Sequence, residues 1–199
     1  MALHTTFDKP LMAGGSAARA GSVRFRLREE TSASHAAVDS LFARFNLGRT
    51  ADYRDFLQIQ YACLAPLETA LDVAGAQALL PDWPARRRAD LLAADLADLD
   101  TTPAPAAINP SLAGPAAIFG AIYVLEGSRF GGGVLARRLA PGAPARFLGA
   151  GADPAAWRAL VSALDRQLVI EADIQTAVAS ARAVFAAFEA AGRTEPALG

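Results

Sequence analysis

From residue 22 to about residue 190, apolar side chains recur at steps of three and four, and β-branched residues alternate nowhere. A period near 3.6 belongs to helices and a period of two to strands, so the chain reads as all-α. Residues 22–46 place Leu27, Thr31, His35, Val38, Phe42 and Phe45 along one helical face. Residues 52–74 do the same with Tyr53, Phe56, Leu57, Tyr61, Leu64, Leu67 and Leu71, and Gly75 supplies a stop. A third helix is expected in "PDWPARRRADLLAADLADL", with Pro84 in its first turn and Leu91, Leu92, Leu96 and Leu99 inward. The proline-rich "TTPAPAAINP" is a connection. A fourth helix runs from about Pro115 to Leu139. After the break "PGAPARFLGAGADP", Asp153 and Pro154 start a last helical stretch that carries Trp157 on to Phe185 and Phe188.

With 199 residues, 53% of them apolar, the chain can build one domain with a sizeable core. A single-domain helical bundle is expected over residues 22–192, between a flexible N-terminal tail at 1–21 and a C-terminal tail at 193–199. The net charge of −1 provides no concentrated basic face, which argues against a nucleic-acid partner. No run approaches the ~18 consecutive apolar residues of a membrane span, so no membrane partner is expected. Cys63 is the only cysteine; it can form neither a disulfide framework nor a thiolate cluster, and points to a reducing, cytoplasmic location.

The chain holds two histidines. His4 lies in the expected tail, whereas His35 shares a face with Thr31, Val38 and Phe42 and should point inward. Such a residue is either a core histidine hydrogen-bonded to a neighbour or a metal ligand. One imidazole cannot hold a bare transition metal, because zinc sites use three or four protein ligands. It suffices when a porphyrin supplies the other four nitrogens. Asp39, one turn after His35, could accept an imidazole N–H and raise ligand basicity.

The fourth helix holds a puzzle in "YVLEGSRFGGGVL". Gly127, Gly131, Gly132 and Gly133 interrupt its apolar run, each at a cost of about 1 kcal/mol relative to alanine. Close helix packing is one explanation. A flat ligand lying against bare backbone at Gly127 and Gly131 is another. A phosphate loop is excluded, since no strand precedes the glycines and no Lys-Ser/Thr follows them. A serine-hydrolase elbow at Ser128 fails for want of that same strand. Arg28 lies about two turns before His35, and Arg137 and Arg138 lie beyond the glycines, where a ligand carboxylate could be met. The triplet Arg86–Arg88 reads as a solvated face.

Taken in order, "LREETSASHAAVD" and "YVLEGSRFGGGVL" resemble the haem oxygenases, and more closely their bacterial, biliverdin-producing branch. The likeness runs from about residue 22 to 190 and takes in "RRADLLAADLADL". It implies haem between a proximal helix, with His35 as the iron ligand, and a kinked, glycine-rich distal helix. It further implies that haem b (iron protoporphyrin IX) is both cofactor and substrate. Haem, O2 and electrons from an external ferredoxin or reductase would give biliverdin, CO and Fe2+. No flavin or nicotinamide fingerprint occurs in the chain, and the product would suit a bilin-binding photoreceptor downstream. Catalytic positions are then expected at His35, Gly127, Ser128 and Gly131. Cofactor contacts are expected from Arg28, Val38, Asp39 and Tyr123, and from Phe130, Gly132, Arg138 and Phe185. Ser128 stands where mammalian-type enzymes carry an aspartate that orders a water, so the polar network must be built differently. A haem-binding or haem-delivery protein without turnover is the competing function on the same fold.

Overall fold

The structure, a computed structural model, describes residues 22–106, 108 and 110–193, and every regular element among them is an α-helix. In chain order these are α1 (Val23–Phe42), α2 (Thr50–Val73), α3 (Ala76–Leu79), α4 (Trp83–Arg86) and α5 (Ala89–Ala97). They continue with α6 (Gly114–Ala136), α7 (Arg146–Gly149), α8 (Pro154–Gln167) and α9 (Glu171–Arg193). The tail at 1–21, with His4, and residues 194–199 of the expected C-terminal tail lie outside the described residues; Arg193 is the last residue of α9.

The start of α1 is capped from a distance. Its first amide, Val23 N, donates to Asp165 of α8 at 3.0 Å, and Ser22 Oγ donates to the same carboxylate at 3.1 Å. A carboxylate there satisfies an orphan N–H and complements the helix dipole. The stripe read from the sequence then changes character along its length. Val23, Leu27 and Thr31 are buried, whereas His35, Val38 and Phe42 are only half-buried. The second half of the stripe therefore faces a gap. Phe45 falls beyond the helix end, in a turn, and packs on Phe42 and Phe56.

Pro66 sits inside α2. Proline has no N–H to give to the carbonyl four residues back. The carbonyl of Ala62 instead accepts from Ala106 N at 2.9 Å, and Gln58 Nε2 donates to Ala104 O at 2.9 Å. Both bonds tie the proline-rich connection to α2. Gly75, at φ +85°, ends the helix as its sequence position implied.

Three local expectations differ from the structure. The third helix is two, α4 and α5, because the carboxylate of Glu68 takes the amides of Arg88 (2.7 Å) and Ala89 (3.1 Å) and so starts a new helix. The last helical stretch is also two. Glu171 and Asp173 in the first turn of α9 favour a fresh N-terminus, and Val169 and Ile170 are left exposed between the two helices. The expected break after Leu139 contains α7, which the fully buried Asp95 of α5 caps by accepting from Arg146 N (3.0 Å) and Phe147 N (2.9 Å). Asp153 caps α8 as expected, accepting from Ala155 N at 2.7 Å.

Helix α6 is buried without interruption from Ala116 to Gly127, as befits a central helix. It crosses α9 at Gly120, where a Cβ would lie 2.1 Å from the Ala177 carbonyl oxygen, and Ser180 Oγ donates to Ala117 O at 2.7 Å. Helix α9 also packs along α1, while α1 and α6 make few contacts with each other. The space between them is the cleft described below.

Two glycine substitutions with opposite outcomes test this packing. Gly120→Ala drives a methyl into backbone and should cost about 1–3 kcal/mol in denaturant unfolding. At Gly133 an added Cβ meets nothing within 4 Å. Gly133→Ala should therefore gain up to about 1 kcal/mol from helix propensity.

Candidate functional site

A cleft of about 820 Å³ opens between α1 and α6 and is closed at the back by α2, α9 and the α7 segment. On the α1 side, His35, Val38 and Asp39 line it, with Thr31 and Arg28 one and two turns earlier. His35 Nδ1 stands 3.2 Å from Asp39 Oδ2. The Phe185 ring of α9 meets the imidazole edge-on, with centroids 5.8 Å apart and planes at 75°. Carboxylate and phenyl ring together restrict how the imidazole can turn. With Nδ1 engaged, Nε2 is the nitrogen through which a metal would be ligated.

The four glycines from 127 to 133 in α6 separate into distinct roles. Gly127, buried, and Gly131, half-buried, line the cleft. Gly132 also borders it, but a Cβ there would come within 2.9 Å of the Leu148 carbonyl oxygen, so close packing on α7 is what its missing side chain permits. Gly133 is exposed. The α-helical assignment is continuous from Gly114 to Ala136, and none of the four takes a positive φ. At Gly127, Gly131 and Gly132 the use is absence of bulk, not conformational freedom.

Phe130, expected at the cofactor, is instead directed at α8. Its ring meets Trp157 edge-on at 5.2 Å, and Phe130 is not among the residues lining the cleft. Tyr123 does line the cleft, buried, and its opposite side reaches Trp157 at 5.9 Å. Burial pushes its hydroxyl up to about 12, partly offset by the charges of Arg24 and Arg28. It is neutral across the physiological range.

The largest departure concerns the arginine triplet. Arg87 is partly exposed and pairs with Asp72, but Arg86 and Arg88 are each only 4% exposed. Arg88 lines the cleft. One of its guanidinium nitrogens donates to Ser128 Oγ and to Leu125 O, both at 2.8 Å, and the group lies 4.9 Å over the Phe147 ring. Ser128 Oγ in turn donates to Leu125 O at 2.7 Å. Burial, then the charge of Arg129, lowers Arg88 to about 10, which leaves it protonated at neutral pH. The sequence offered Ser128 alone at this point; the structure gives it a buried cation.

At the rim, Arg28 and Arg138 line the same cleft, and an Arg138 guanidinium N–H donates to Phe45 O at 3.3 Å. Arg28, Arg88, Arg129 and Arg138 face a single lining carboxylate, Asp39. Among the described residues no group of three or more His, Cys, Asp or Glu could hold a metal ion. One imidazole, bare backbone opposite, apolar walls and cationic edges fit a flat, carboxylate-bearing metallo-ligand of porphyrin size, and the volume is within the usual 300–1,000 Å³ of ligand pockets.

The fold and site define an all-helical protein with a ligand-sized cleft between two helices. A family model described as heme oxygenase matches residues 22–193, and the chain belongs to that family. A heme oxygenase of Xanthomonas campestris pv. campestris (strain 8004) is 39% identical over 112 residues, covering 53% of this chain and 67% of that one. The solved NO- and CO-bound heme oxygenase of Neisseria meningitidis superposes with a TM-score of 0.75 at 23% identity, over 87% of this chain and 91% of that one. The fold and the family agree, and the protein is a haem-degrading enzyme. No helix among the described residues is long and apolar enough to cross a membrane.

Cys63 takes no part in this chemistry. It is fully buried, donates to Ala187 O at 3.6 Å, and burial raises its thiol to about 11. A raised value means little thiolate at pH 8, and thiolate is the reactive form. The native protein should be inert to a disulfide reagent such as DTNB at pH 8 and release one equivalent of thiolate chromophore once unfolded; rapid native labelling would contradict the burial.

Proposed function

We propose that the enzyme consumes haem b with O2 and electrons from an external ferredoxin or reductase, giving biliverdin, CO and Fe2+. The observation that carries this reading is His35 on α1 and the side-chain-free backbone of Gly127 and Gly131 on α6, lining one cleft. When bound, haem supplies the iron at which O2 is reduced and the ring that is opened.

The chain's own residues supply the rest. His35 Nε2 would hold the iron, and Asp39, 3.2 Å from Nδ1, would fix the orientation of the imidazole. An imidazole ligand would donate less electron density to the iron than a thiolate would. Gly127 and Gly131 leave room on the other face for a small molecule to lean over the ring, where any larger side chain would block it. Val38, Tyr123 and Phe185 provide apolar walls. Arg28 and Arg138 meet the propionates.

Ser128 and Arg88 hold the proton path. A serine hydroxyl has one donor and two acceptor sites. Here the donor goes to Leu125 O and one lone pair to Arg88, leaving one lone pair for a water in the cleft. A water donating to Ser128 keeps its second hydrogen directed elsewhere, so the pair orients a proton donor where other family members use aspartate. The protonated Arg88 also favours negative charge building up nearby. The reaction is placed in the cytoplasm, and its biliverdin is of the chemical class that bilin-binding photoreceptors take up.

The test is an absorption titration with hemin, followed by ascorbate or a ferredoxin system in air. Tight binding followed by loss of the haem band and appearance of biliverdin is the expected result. Haem that persists would favour a binding or delivery protein, and failure to bind haem would overturn both readings. His35→Ala should fold, alter the haem spectrum and lower biliverdin yield by more than about tenfold. An unchanged spectrum and yield would remove His35 from the iron.

A further inference from the structure

We infer that Glu126, buried behind the cleft, is a positioning residue that sets the height of Gly127 and Ser128 over the bound ring, an inference that rests on the haem-oxygenase reading. Its carboxylate is divided between two guanidiniums: Oε2 accepts from Arg86 at 2.8 Å and Oε1 from Arg129 Nε at 2.7 Å. Arg86 continues to Asp82 at 2.8 and 3.0 Å and to Ala156 O of α8 at 2.9 Å. Arg129 continues to Ala150 O at the end of α7 at 3.2 Å and to the backbone carbonyl of Arg86. One carboxylate on α6 thereby gathers α4, α7 and α8 onto a single turn of the glycine-rich helix.

Burying such a cluster is poorly explained by stability alone. Desolvating each ion costs several kcal/mol, and apolar replacements of similar volume are often as stable. What the cluster provides is location. A helix fixes its height against neighbours through side chains that interdigitate, and α6 has none at positions 127, 131, 132 and 133. Glu126 and Arg129 bracket Gly127 and Ser128, and their charge-assisted bonds have narrow geometry. The cluster shares no hydrogen bond with the Arg88–Ser128 pair, although the charges of Arg129 and Glu126 both act on Arg88; Glu126 itself bonds to Arg86 and Arg129 and does not line the cleft.

The experiment compares full-length wild type with Glu126→Gln, an isosteric change that removes the charge. Three quantities are read: amide hydrogen exchange across residues 123–132 without haem, hemin affinity, and the C–O stretch of carbon monoxide added to the reduced, hemin-loaded protein. Expected are exchange faster on the order of tenfold in that segment, a shifted or split C–O band, and lower kcat with hemin affinity little changed. Arg129→Gln, which removes one arm of the same cluster, should move the exchange rate and the C–O band in the same direction and serves if Glu126→Gln does not fold; because Arg129 also lines the cleft, its hemin affinity is not part of the comparison. Wild-type exchange and a wild-type C–O band in the folded variants would overturn the inference, as would activity lost only in proportion to the unfolded fraction. A wild type that fails to bind hemin would sink the functional reading instead, while the exchange comparison would still judge the positioning claim.

Discussion

Gly120 and Ala177 bring α6 and α9 together more closely than any side chain would allow, and this contact determines where everything else can stand. A central helix drawn so tightly onto α9 leaves α1, which also packs on α9, displaced to one side. The two helices therefore share a support without touching along their length. A porphyrin needs such a gap: parallel walls, one carrying a ligand and the other carrying nothing. The upper half of the α1 stripe fills the core with Leu27 and Thr31, and the lower half offers His35 and Val38 to the gap. One amphipathic pattern thus serves stability and function in succession.

The polar groups around the gap follow an economy of their own. Three arginines, Arg86, Arg88 and Arg129, are largely removed from water, and Glu68 and Glu126 are removed with them. Unpaired, each would be prohibitive. Burial raises the Glu68 carboxyl, and the amides of Arg88 and Ala89, which its oxygens accept while fixing the start of α5, partly offset that rise. That backbone anchor determines where the Arg88 side chain begins, and Ser128 with Leu125 O determines where it ends. A side chain held at both ends cannot wander into the cleft. The same logic applies to Phe147, placed under the Arg88 guanidinium because Asp95 caps its amide.

Helical periodicity made the main helices legible, along with the Gly75 stop, the Asp153 cap and the inward face of His35. Each rests on local chemistry, within one turn of chain. Arg86 and Arg88 were not legible as buried residues because their partners are distant in sequence: Glu68 is 20 residues before Arg88, and Glu126 is 40 residues after Arg86. A run of arginines looks the same whether water or a buried carboxylate will meet it. The contact of Phe130 with α8 was not legible for a related reason. Its helix position was right, but Trp157, its partner on α8, has no local signal linking the two. The one clue available was Glu126 itself, a lone acid at the end of an apolar run from Ala116 to Leu125, which a buried helix would not carry without a cation to meet it.

The glycines show why a single motif can mislead when it is read as one device. Gly131, Gly132 and Gly133 are adjacent in sequence and point about 100° apart on a helix. They meet a cleft, a neighbouring carbonyl and solvent respectively. Gly127 returns to the cleft four residues before Gly131, on the same face. The α-helix runs on through all four positions, so the missing side chains bare its backbone to the cleft at Gly127 and Gly131 without ending it. The charges of Glu126 and Arg129 flank Gly127 and Ser128 on the same turn and tie it to Arg86, where the glycines have no side chain to pack.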